Sequence, residues 1–173
     1  MTLTERATTE LQAHLGEAVA GLETFRGGTT VEIAAEALLA AARLLREGLD
    51  PAFDLLAGLT ASDSWPSDPR FSLIYIFYST RGNDFLTLRV RVAGTSPEVD
   101  SLVPVYPAAN WHEREVFDMF GVIFRGHPDL RRILMPYDWV GHPLRKDHPL
   151  GYEEVQFSFN FDEIDRRKPY AKD

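Results

Sequence analysis

The sequence predicts an α+β fold: a two-layer domain of order α-β-β-α-β-β-β, with helices on one face of a largely antiparallel or mixed sheet, followed by a short helix and a long extended C-terminal segment. Three observations predict it. Leu3, Ala7, Leu11 and Leu15 recur every four residues as on one helical face, a Gly27-Gly28 pair separates two strand-like runs, and Phe85 to Val92 alternates between apolar and polar side chains. On this reading the chain divides into an α+β domain over 1–108, a helix with an extended docking segment over 109–150, and a tail over 151–173.

At the start, Thr2 and Glu5 have the spacing of a capping box, in which the threonine hydroxyl accepts from a backbone amide and the glutamate reaches back; Gly16 is the expected stop. Ala18 to Phe25 and Thr29 to Ile33 then form antiparallel strands around the Gly27-Gly28 turn. A second helix is expected from about Ala34 to Glu47, burying Leu38, Ala41, Ala42 and Leu45, with Gly48 past its end and Pro51 beyond. Phe53 to Thr60 and Phe71 to Ser79 read as strands, the latter apolar on both faces as in a central strand, with Ser62 to Arg70 as the loop between them. After a turn at Arg81 to Asp84, the alternation of Phe85 to Val92 points Leu86, Leu88, Val90 and Val92 inward and Thr87, Arg89 and Arg91 outward. Gly94 to Ala108, broken by Pro97, Pro104 and Pro107, leads the chain away from the sheet.

Composition bounds the function. At 173 residues, 45% apolar and 12% aromatic, the chain can bury a core. Its 26 acidic against 18 basic side chains, a net charge of −8, argue against a phosphate-backbone interface and so against nucleic acid as a partner. The most apolar stretch, Ile33 to Leu45, is interrupted by Glu36 and Arg43 and falls short of the roughly 18 clean residues of a membrane helix; no signal peptide is expected either. Cysteine is absent, which removes every thiolate ligand for an iron–sulfur cluster or a structural zinc.

The stretch from Asn110 to Leu150 is the most distinctive. A helix is expected from a polar cap at Asn110 to Phe120, ended by Gly121. The chain beyond it is broken by Gly126, Pro128, Pro136, Gly141, Pro143 and Pro149, yet it carries Leu130, Ile133, Leu134, Met135, Trp139 and Leu144. Structureless loops beyond about 12–15 residues are uncommon in compact domains, and disordered ones are poor in such side chains, so this segment is expected to be pinned. The helix offers Trp111, Glu113, Arg114, Glu115 and Asp118; Arg114 and Asp118 are spaced to pair, and Trp111, Glu115 and Asp118 share a face. A solvated amphipathic helix is one reading, and a partner-facing patch anchored by Trp and Arg is the other. Because Phe117, Phe120 and Phe124 demand burial, its carboxylates would need basic partners, which Arg125, Arg131, Arg132, Arg145 and Lys146 supply. The expected object is a helix clamped by its own tail.

Catalytic motifs are missing. His112-Glu113 opens like a zinc-protease motif, but Val116 stands where the second histidine belongs. His127, His142 and His148 each precede a proline in extended chain and suggest no metal site. Glu113 and Glu115, two apart, point to different sides of a helix, and neither a nucleophile elbow, a dinucleotide fingerprint nor a P-loop is present. The residues therefore favour a non-catalytic interaction subunit with no catalytic, cofactor or metal residues of its own. A free-standing enzyme with a composite pocket between sheet and central helix is the alternative of another class.

The run Glu113-Arg114-Glu115-Val116-Phe117-Asp118-Met119-Phe120-Gly121, then Phe124 and Gly126-His127-Pro128-Asp129-Leu130-Arg131-Arg132-Ile133-Leu134, resembles the signature of the C subunit of the proton-pumping NADH–quinone oxidoreductase, respiratory complex I. Asp138-Trp139, Gly141-His142-Pro143-Leu144-Arg145-Lys146-Asp147 and Pro149-Leu150 extend the match, and Leu22 to Val92 resembles the family more loosely. The resemblance implies a scaffold in the peripheral arm on the cytoplasmic side of the inner membrane, reaching the membrane only through the complex. Its chief partners would be the D and B subunits, the first helping to form the quinone site and the second holding the terminal cluster. FMN, iron–sulfur clusters and quinone belong to the implied complex and none to this chain. The motif residues carried over as interface candidates are Trp111, Glu113, Arg114, Glu115, Asp118, His127, Asp129, Arg131, Arg132, Trp139, His142, Arg145, Lys146 and Asp147. The same resemblance extends to subunits of membrane-bound hydrogenases and of quinone oxidoreductases with other donors. In the tail, Val155, Phe157, Phe159 and Phe161 alternate with polar residues as in a strand that pairs with a sheet edge or a neighbour.

Overall fold

The structure, a computed structural model, describes residues 2–148; the strand expected over Val155 to Phe161 lies outside them. Helix α1 (Leu3–Leu15) is closed by the capping box read from the sequence: Glu5 N donates to Thr2 Oγ1 at 3.1 Å and Thr2 N to Glu5 Oε2 at 2.8 Å. The same helix end is fastened to the sheet, because Thr4 donates through both its amide and its hydroxyl to the Asp84 carboxylate.

Strands β1 (Val19–Phe25) and β2 (Gly28–Ile33) pair antiparallel. Their turn is one residue earlier than expected: Arg26 and Gly27, with φ of 50° and 83°, form the loop, and Gly28 already pairs with Phe25. Two successive positive φ angles give the loop a twist that matches the flanking strands. Before the second helix the chain makes a single 3-10 turn over Ala35–Ala37, so α2 runs from Leu38–Glu47 and starts later than its apolar spacing suggested. Leu38, Ala41, Ala42 and Leu45 are fully buried, as expected.

Strand β3 (Leu55–Asp63) is displaced towards its C-terminal end relative to the expected Phe53 to Thr60. Phe53 is buried ahead of the strand because its amide donates to Leu45 O and its carbonyl accepts from the Tyr106 hydroxyl at 2.7 Å. The far end overruns the expected loop because Asp63 is held by an ion pair described below. Strands β4 (Phe71–Ser79) and β5 (Asp84–Val92) complete a mixed sheet of order β1-β2-β5-β4-β3, in which only β2 and β5 run parallel. The middle strand is β5. Strand β4 lies inside the sheet but alternates: Phe71, Leu73, Tyr75 and Phe77 are buried in one core with both helices, while Ser72, Ile74, Ile76 and Tyr78 are only half-buried. The expected inward set of β5 is the buried one.

The segment from Gly94 to Ala108 contains a strand that was not expected, β6 (Glu98–Asp100), which pairs in parallel with β7 (Ile123–Arg125). Between them lies α3 (Ala109–Phe120), which packs beside β3 and adds Ala109, Val116, Met119 and Phe120 to the main core. Its cap is Ala108 rather than Asn110 and offers no side-chain acceptor; Ala109 and Asn110 instead donate to the carbonyls of Tyr106 and Pro107.

Candidate functional site

The site is built on α3 and the strap of extended chain that follows β7. A helix leaves its last carbonyls without intrahelical donors. Here Phe117 O accepts from the capping Gly121 N at 2.8 Å, and the strap supplies the rest: Asp118 O accepts from His142 Nδ1 at 2.9 Å, Met119 O from Leu144 N at 3.0 Å and Phe120 O from Arg145 Nε at 2.6 Å. Gly121 turns with φ of 73°, and a Cβ there would lie 2.5 Å from His142 Cδ2 and 3.0 Å from Arg145 Nη2. Only glycine allows the strap to pass this close. Since His142 donates through Nδ1 to a carbonyl, its Nε2 is the unprotonated ring nitrogen, and burial pulls its pKa below the usual histidine value.

Asp118, fully buried, organises the middle of the strap. Its Oδ2 accepts from the amides of Ile133, Leu134 and Met135 at 3.0, 2.8 and 2.9 Å, and its Oδ1 from Arg132 Nη1 at 2.5 Å. Burial opposes the charged form, but these four donors outweigh it and hold the carboxyl below the ordinary carboxylate range. Arg132 in turn donates through Nη2 to the carbonyls of Trp139 and Gly141 at 2.9 and 2.8 Å. The expected intrahelical pair of Arg114 and Asp118 is thus replaced: Asp118 takes Arg132, and Arg114 donates to the carbonyls of Arg131 and Arg132 at 3.1 and 3.3 Å while lying 5.1 Å over the Trp111 ring.

Glu113 is buried, with no Lys or Arg among the described residues at its carboxyl. Its Oε2 accepts from Ser101 Oγ at 2.6 Å and its Oε1 from Leu102 N at 2.7 Å, and burial pushes its pKa up to about 7. His127 lies 4.0 Å away. That imidazole accepts at Nδ1 from Asp129 N and so carries its proton on Nε2, which faces Asn110 O at 3.2 Å.

The expected shared face of Trp111, Glu115 and Asp118 does not exist, because Trp111 and Glu115 are exposed while Asp118 points into the strap. Trp111, Leu134, Tyr137, Val140 and Leu144 form the exposed apolar side chains of this region, Tyr137 being 94% exposed. Arg131 pairs with Asp129 at 2.9 Å on the surface, and Arg125 with Asp100 at the same distance. Trp139 is half-buried beside His148, with its Nε1 lacking a partner among the described residues. Lys146 contributes its backbone amide, which donates to Asp63 Oδ2 at 2.9 Å; Asp147 is paired with Arg70. Asp63, Arg70 and Ser101 were missed in the sequence because they sit in segments read as loops, and their partners are distant in the chain. Among the described residues, no group of three or more His, Cys, Asp or Glu side chains is placed to hold a metal, and no helix is long and apolar enough to cross a membrane.

A family model described as the 30 Kd subunit of respiratory-chain NADH dehydrogenase matches residues 31–154. The chain is 47% identical over 163 residues to the C subunit of the NADH-quinone oxidoreductase of Roseiflexus castenholzii, covering 94% of each chain. It is 42% identical over 169 residues to that of Herpetosiphon aurantiacus, covering 98% of this chain and 99% of the other. Among solved structures, a trypsin-resistant fragment of Nqo5 superposes with a TM-score of 0.58 at 26% identity, covering 73% of this chain and 98% of that one. A chain of an archaeal membrane-bound sulfane sulfur reductase shares the fold, with a TM-score of 0.65 over 98% of this chain and 95% of that one at 20% identity. With the motif-bearing helix, the strap and most of the sheet all inside the matched span, the chain belongs to the family of the 30 Kd subunit of respiratory-chain NADH dehydrogenase.

Proposed function

We propose that this chain is the C subunit of a proton-pumping NADH–quinone oxidoreductase and acts there as a non-catalytic scaffold of the peripheral arm. The observation that carries this reading is the strap. About twenty residues of irregular chain are held in place by the end and buried face of α3, and along them Leu134, Tyr137, Val140 and Leu144 stay exposed, as does Trp111 on the helix. Holding irregular chain in one conformation is entropically costly, and several large apolar side chains left exposed along such a segment support its use as an interaction surface. The names and near-complete coverage of the bacterial relatives support the same assignment.

On this proposal the strap faces the D subunit, with the B subunit nearby, and the chain lies on the cytoplasmic side of the inner membrane. FMN, clusters and quinone are held by other chains of the complex, so electron transfer and proton translocation are properties of the whole assembly. Tagged chain is to be recovered from its native membranes in mild detergent, with mass identification of partners and an NADH–quinone assay. Recovery of the D and B subunits with flavin- and cluster-bearing chains and NADH-dependent quinone reduction is expected. Cluster-bearing partners lacking flavoprotein and NADH activity would assign the chain to a sister complex, and a partner-free chain would end the scaffold reading.

A further inference from the structure

Two guanidinium groups lie over one ring at the junction of strap and sheet: those of Arg70 and Arg145, 4.8 and 5.2 Å from the Phe71 centroid. Arg145 is the helix-capping side chain already described. Arg70, 6% exposed, has no place in that cap and makes two bidentate pairs instead. It donates through Nε and Nη2 to Asp63 at 2.9 and 2.7 Å, and through Nη1 and Nη2 to Asp147 at 2.9 and 2.7 Å. Asp63 also accepts from Trp65 N and from Lys146 N, both at 2.9 Å. The base of the β3–β4 hairpin therefore grips two consecutive strap residues, one by its amide and one by its carboxylate, across 77 positions of sequence between Arg70 and Asp147.

An ionic triad with two of its three members buried is a poor way to gain stability, since desolvating those charges offsets much of their attraction and apolar packing often does as well. Its distinguishing property is register. Fork-to-fork bonding to two carboxylates allows one alignment of the strap on the hairpin, which apolar packing would not enforce. We infer that Arg70 is a positioning residue: the Asp63–Arg70–Asp147 bridge latches the distal end of the strap to the sheet and fixes where the strap is presented to its partner. This rests on the docking role proposed above.

Asp147 is the residue to change, because its side chain is 43% exposed and its removal leaves Arg70 paired with Asp63. In the full-length Asp147→Asn chain, amide exchange at Leu144, Arg145 and Lys146 is expected to rise about tenfold or more while the amides of β3 and β4 keep their protection. Recovery of partner subunits from membranes should fall several-fold, and Asp147→Glu should restore part of both. Unchanged exchange at those three amides would overturn the latch, and a released strap with undiminished partner recovery would overturn its positioning role. Wild-type chain that recovers no partner would overturn the docking reading itself; that failure is distinguishable because the exchange measurement needs no partner.

Discussion

Glu113 and Asp118 occupy the same helix, are both fully buried, and are displaced in opposite directions because their donors differ. Asp118 has four donors, one of them cationic; Glu113 has two neutral ones. For Glu113, whose pKa rises to about 7 from 4.5, the folded chain holds a proton over a range in which the unfolded chain has released it. Stability must therefore fall as pH rises through that window. Glutamine can accept from Leu102 N and donate to Ser101 Oγ. Glu113→Gln is accordingly expected to gain about 1–3 kcal/mol over wild type at pH 8 and close to nothing at pH 4, read from urea melts at the two pH values. Equal differences at both would show that the carboxyl does not titrate in this range. Asp118→Ala leaves three amides and Arg132 without their acceptor and should cost about 3–5 kcal/mol at neutral pH, measured in the same way.

At the scale of elements, the terminus of α3 is the most constrained junction. Gly121→Ala combines a positive φ with a Cβ closer to His142 than any real contact, and so must push the strap off the helix end. A loss of about 1–3 kcal/mol is expected, with increased amide exchange at Leu144; protection equal to wild type would show that the strap can be carried elsewhere. The glycine itself was legible as a helix stop. What it makes room for was not, because His142 and Arg145 lie more than twenty positions away. Legibility divides along the same line elsewhere. The capping box of α1, the inward faces of α2 and β5 and the hairpin are local patterns and could be read directly. Three-residue strands such as β6 and β7 carry no periodicity, and their parallel pairing is decided by where α3 returns the chain. The grouping of charged motif residues around α3 was legible as a need for partners, but the pairing was not: Arg132 and not Arg114 answers Asp118.

For the whole molecule, three carboxylates tie the strap to the rest of the fold, and all three are held below the ordinary range. Asp63 and Asp147 owe this first to hydrogen bonds from Arg70, Asp118 to its amides and Arg132 against the opposing effect of burial. Groups with lowered folded pKa contribute stability above the unfolded value and lose it as pH falls through the folded one. Acidification below about pH 4 should therefore release the strap before the sheet melts, since the core of α1, α2 and the sheet is apolar and the sheet's own pairs of Arg89 with Glu23 and Arg91 with Glu32 lie towards solvent, where they contribute little. Hydrogen exchange at successively lower pH checks this: early loss of protection at 133–135 and 144–146 with β4 and β5 still protected is expected, and simultaneous loss everywhere would tell against it. Arg70 illustrates why sequence reading stopped short at this scale. Nothing local marks it, since it closes a proline-rich turn with one aspartate and meets a second one 77 positions later.

The capping of α3 by His142, Leu144 and Arg145 also sets an order of events during synthesis. A ribosome delivers the helix before the residues that finish it, so the end of α3 stays open to water until Arg145 has emerged. A nascent chain can therefore complete its sheet while the strap proposed to dock is still unfinished, and a partner translated alongside meets a closed helix only once the last motif has been made.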